Sequence, residues 1–106
     1  MGLQLLLDSA DPIVWKEWLS SGLFNGVTTN PTLLRRANQP CQVEHLSNLA
    51  KEAERLGCKE LHLQAWGNSA HEISQCGKDL GNLATPSLSI HVKIPITAEG
   101  SKAAKI

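Results

Sequence analysis

Four times along this chain a short stretch of strand character is followed by a helix-start signal and helical spacing. No other feature restricts the fold as much, because consecutive parallel strands need a helix-length crossover between them. Leu3–Asp8 is a nearly continuous apolar run, as in a buried parallel strand. Asp11 and Pro12 then read as an N-cap and first helical residue, and Gly22 as the stop. The spacing of Ile13, Val14, Trp18 and Leu19 predicts the apolar stripe of this helix, with Trp15 beside it. Gly26–Asn30 is the second strand, and Asn30-Pro31 repeats the cap signal. A short helix through Leu33, Leu34 and Ala37 is interrupted at Pro40. Val43, Leu46, Leu49, Ala50, Ala53 and Leu56 keep helical spacing up to Gly57.

The third unit has a strand over Glu60–Trp66 and the capping-box pattern Ser69-Ala-His-Glu72. Its helix carries Ile73, Cys76, Leu80 and Leu83, weakened by Gly77 and Gly81, and ends at Thr85-Pro86. In the fourth unit Leu88, Ile90, Val92, Ile94 and Ile96 alternate with Ser89, His91, Lys93, Pro95 and Thr97. That is the period-two pattern of a strand, and Pro95 should end regular pairing. Thr97 and Glu99 predict one more helix start before the chain stops at Ile106. The fold class is α/β, a parallel half-barrel made of the first four units of a (β/α)8 barrel, whose full form takes roughly 250 residues. A flavodoxin-like open sheet, with helices on both faces, is the competing architecture.

Bulk properties remove several functions. The formal net charge is +0, with ten basic and ten acidic residues, which takes away the electrostatic case for nucleic acid or an anionic membrane. No apolar run approaches a membrane span, and the N-terminus lacks signal-peptide character. Cys41, Cys58 and Cys76 are odd in number and lack CxxC spacing. They read as small core hydrophobes of a reduced, cytoplasmic protein.

Strand parity singles out a set of side chains. Leu5, Leu7, Val27, Leu61, Leu63, Ile90, Val92 and Ile94 share one parity and suit a helix layer. The other parity is polar and ends in Asp8, Asn30, Gln64 and Lys93. In a barrel that face is the lumen, and its carboxyl end is the site of chemistry. Each residue taken alone could merely cap a helix or end a strand; their shared parity and position favour a site. A lysine there, kept from water, could attack a ketone as the neutral amine, and the imine formed is an electron sink for breaking a carbon–carbon bond. Asp8 suits proton handling or hydroxyl anchoring, and Gln64 the orientation of a water or hydroxyl. Thr28 and Trp66 are further candidate substrate contacts, Trp66 alternatively filling the top of the lumen. His62 and His91 share lumen parity on neighbouring strands and could touch. They are expected to be packed, hydrogen-bonded histidines, with no carboxylate placed to complete a metal site. His45, His71, Arg35 and Arg36 are expected on solvated helix faces. Trp15 and Trp18 are expected to pack helix on barrel, although one could face a partner.

Three segments, Leu5–Asp11, Gly26–Leu34 and Val92–Gly100, are similar to signature segments of the transaldolase family, in the branch of small transaldolases and fructose-6-phosphate aldolases. The resemblance runs the length of the chain and corresponds to the N-terminal half. It implies a TIM barrel with class I aldolase chemistry on sugar phosphates, with no metal and no cofactor. It makes Lys93 the Schiff-base lysine, Asp8 the proton-transfer residue and Asn30 a ligand of substrate hydroxyls. Gln64 stands where transaldolases proper have a glutamate that positions water, a substitution similar to the aldolase branch. The family's later strands, with its phosphate-binding arginine and serine, lie beyond the fourth unit. The chain should therefore need another copy or a missing half to close its open edges. A catalytically inactive half-barrel and an open-sheet binding module are the alternatives, the latter leaving Lys93 without a task.

Overall fold

A computed structural model describes residues 5–95. The elements are β1 (Leu5–Asp8), α1 (Pro12–Leu19), β2 (Phe24–Thr28), α2 (Pro31–Arg36), α3 (Val43–Arg55), β3 (Glu60–Gln64), α4 (Ala70–Gly81) and β4 (Ser89–Lys93). The expected last helix, after Thr97, lies outside the described residues, as do Leu3 and Gln4 of the first strand. The described strands are all parallel and lie in chain order, β1-β2-β3-β4. A doubly wound sheet reverses its strand order at a switch point. The absence of such a reversal among the described strands separates this fold from the flavodoxin-like alternative. The architecture is a parallel α/β sheet with interleaved helices, consistent with half of a β/α barrel.

Three of the helix starts follow the side chains that the sequence marks. Asp11 accepts from the backbone N–H of Ile13 at 2.9 Å, Asn30 from Leu33 at 2.9 Å, and Ser69 from Glu72 at 3.2 Å. Each supplies an acceptor to an otherwise unpaired first-turn donor. The Glu72 carboxylate reaches back to the N–H of Asn68 at 2.7 Å, one residue beyond the usual capping-box partner. Glu54 on α3 accepts from the hydroxyls of Thr85 (2.7 Å) and Ser87 (2.9 Å), which fastens the turn before β4 to the helix layer.

One hydrophobic core lies between the sheet and its helices. Val27, Leu61 and Leu63 from the sheet meet Trp15, Leu19, Leu46, Leu49, Ala53, Ile73 and Leu80 from the helices. Ile90, Val92 and Ile94 pack against the same core. Two expectations about this layer need correction. Leu5 is 38% exposed, at the start of an edge strand where a register irregularity lies between Leu5 and Leu6. On α1, Trp15 is fully buried, whereas Ile13 is 78% and Trp18 45% exposed. The indole N–H of Trp15 donates to the Ser9 carbonyl at 2.9 Å. This tertiary bond, rather than the local stripe, sets which side of α1 faces the sheet. Trp18 instead meets Phe24 edge-on, with ring centroids 6.2 Å apart. No helix of the described residues is long and apolar enough to cross a membrane.

Thr29 is buried, and its hydroxyl has no hydrogen-bond partner among the described residues. Leaving a buried hydroxyl unpaired costs about 1–3 kcal/mol, and valine matches threonine in shape. Thr29→Val is therefore expected to raise the urea midpoint, by about 1 kcal/mol of stability. A lowered midpoint would mean that the hydroxyl has a partner in solution.

Candidate functional site

The sheet face away from the helices carries the polar strand ends. Register places them in rows. Asp8 lies opposite Thr28, Thr28 opposite His62, and His62 opposite His91. One step further along, Gln64 lies opposite Lys93. Asn30 follows Thr28 by the same two residues that separate Gln64 from His62. The ladder continues past β2, since the Thr29 N–H donates to the His62 carbonyl at 2.9 Å.

Within these rows the structure makes definite contacts. The Thr28 hydroxyl donates to Oδ1 of Asp8, fixing the carboxylate at the carboxyl end of β1. Asn30 spends its carbonyl oxygen on the cap of α2, and its amide nitrogen is a separate donor. His62 and His91 are stacked, with ring centroids 4.4 Å apart and planes 8° apart. Nε2 of His62 lies 2.8 Å from Oε1 of Glu60, and Asn25 donates to the other carboxylate oxygen at 2.7 Å. The hydrogen bond to His62 holds the Glu60 carboxyl below the ordinary carboxylate range, with the Asn25 amide contributing. Two histidines that touch agree with the parity argument. The expectation that no carboxylate is placed beside them is corrected. Glu60 shares their parity, and its side chain leans along the strand to His62.

Other predicted residues are placed less tightly. Lys93 is exposed, so the described residues do not supply the dry surroundings expected for its amine. Asp8 and Lys93 stand on the two edge strands, three strand spacings apart, or about 14 Å along the sheet. Gln64 is thus a direct neighbour of Lys93, and Asp8 is not. Trp66 packs against the helix-side core, in a groove shared with Val43, Cys76 and Asp79, rather than over the polar face. The peptide turns there after β3, with Gly67 at φ 153°. Cys58 and Cys76 are buried and Cys41 half-buried, all free thiols. Burial raises each thiol pKa, which disfavours thiolate nucleophiles.

The sequence profile of the family described as transaldolase/fructose-6-phosphate aldolase matches residues 5–106. The chain belongs to that family. Among its relatives, a probable transaldolase of Dictyoglomus turgidum is 35% identical over 104 residues, covering 98% of this chain and 45% of the relative. A probable transaldolase of Phenylobacterium zucineum is 32% identical over 100 residues, covering 92% and 42%. One from Caulobacter vibrioides is 30% identical over 98 residues, with the same coverage of 92% and 42%. This member of the transaldolase/aldolase family thus spans less than half the length of the curated relatives it matches.

Proposed function

We propose that this chain supplies the lysine half of a class I aldolase or transaldolase site acting on sugar phosphates such as fructose 6-phosphate. Its family membership and one observation support this reading: Lys93 ends β4 in register with Gln64, at the carboxyl edge where β/α folds hold their ligands. The amine of Lys93 adds to the ketone carbonyl and loses water to give an iminium. The iminium accepts the electron pair of the neighbouring carbon–carbon bond as it breaks. Gln64 orients a water or hydroxyl beside the imine carbon. Asn30 and Thr28 hold substrate hydroxyls. Asp8, fixed by Thr28, handles the proton of the cleaved alcohol once curvature of the completed sheet carries β1 toward β4.

Completion requires a cover for the polar face and partners for the outer edges of β1 and β4. Unpaired edges recruit further strands. A second copy of this chain, or the remainder of a barrel, fits that need, and burial of Lys93 would follow. A second reading is favoured by the exposure of Lys93: the chain is a catalytically inactive half-barrel that self-associates. Borohydride trapping with fructose 6-phosphate or dihydroxyacetone, read by mass spectrometry, separates the two. The expected result is one stable adduct per chain, abolished in Lys93→Ala. No adduct at high protein concentration would leave the inactive half-barrel. Gel filtration is expected to give a dimer or larger assembly, and a compact monomer would sink the self-association.

A further inference from the structure

We propose that Glu60, His62 and His91 form a binding site for one divalent transition-metal ion, zinc foremost, on the open face of the sheet. The donor atoms of these three residues all lie within 4.8 Å of one another. They stand on two paired strands, with His62 directly opposite His91 and Glu60 two residues below His62 on the same face. The backbone that carries them is therefore a fixed ladder rather than a loop.

The chemistry of the set suits zinc. Two imidazoles and a carboxylate are ligands it accepts, and three protein donors leave a fourth position free. Bonds of about 2.0–2.1 Å at a tetrahedral angle put neighbouring ligand atoms roughly 3.3 Å apart. Ion binding would replace the 2.8 Å hydrogen bond between His62 and Glu60 and open the stacked imidazoles so that their nitrogens converge. The carboxylate already has an outer partner. Asn25 donates to Oε2 of Glu60 at 2.7 Å, which turns Oε1 toward the histidines. Such outer hydrogen bonds orient metal ligands and tune their affinity. His91 is exposed and His62 keeps 17% of its side-chain surface, so an ion can arrive from solvent. The ion would lie one residue pair below Gln64 and Lys93, and would bridge β3 to the edge strand β4.

The test titrates the full 106-residue chain with Co2+, following the visible bands of tetrahedral cobalt, and displaces the cobalt with Zn2+. One equivalent should bind. Zinc, but not magnesium, should raise the thermal midpoint, since an ion that binds only the folded chain stabilises it. His91→Ala and Glu60→Gln should each weaken binding by about tenfold or more, because even outer partners of a metal site are worth roughly 10–100-fold. His91 is exposed, so that variant keeps its fold, as circular dichroism can verify. His45→Ala and His71→Ala, on helices, should bind as the parent does. Absence of cobalt bands, undiminished binding by both His91→Ala and Glu60→Gln, or loss of binding in the helix variants would each overturn the site.

Discussion

Gly26→Ala is expected to cost this fold about 3 kcal/mol or more, enough to unfold a large share of the chain at room temperature in mild denaturant. A methyl group at residue 26 would lie 2.0 Å from the carbonyl oxygen of Glu60 and 2.7 Å from its Cγ. The nearer atom is backbone, and it belongs to the residue paired with Gly26 across β2 and β3. No rotamer change relieves that contact; the two strands must part. Separation would also move Glu60 away from Asn25 and His62. Urea unfolding followed by circular dichroism measures the loss. A midpoint equal to the parent's would show that β2 and β3 do not approach this closely.

Trp15 carries the next largest expected effect. Trp15→Ala removes a fully buried indole from the junction of α1 and the sheet, and should cost about 3–5 kcal/mol. Trp15→Phe keeps most of the apolar volume but leaves the Ser9 carbonyl without its indole donor, a loss of about 1–3 kcal/mol. The ordering parent, phenylalanine, alanine is the expected result of thermal unfolding monitored by circular dichroism. Equal stability of the phenylalanine variant would assign the role of Trp15 to volume alone. Ser9 directly follows Asp8, so both variants also loosen the segment that places the Asp8 carboxylate.

The alternation of units was legible because it rests on local signals. Asp11, Asn30 and Ser69 each cap the helix that their positions announce, and the period-two parity of β3 and β4 divides greasy from polar faces as observed. What failed depended on particular side-chain contacts that hydrophobic periodicity does not carry. Helical spacing offered Ile13 and Trp18 as the inner face of an eight-residue helix, but the Ser9 carbonyl selects Trp15 instead. Parity identifies the His62–His91 pair but not the lean of the Glu60 side chain along the strand to His62, because parity gives a face and not a rotamer. The rows themselves could not be read, since strand offsets are set by how each helix returns the chain. The exposure of Lys93 was equally hidden. It depends on what covers the open face, and no local pattern encodes that cover.

Among the described residues, β4 is paired on one side only, through β3, and otherwise leans on α4. Its backbone amides should exchange with heavy water sooner than those of β2 and β3, at a free energy below that of global unfolding. Lys93 would then part from its neighbour Gln64 while most of the molecule keeps its secondary structure.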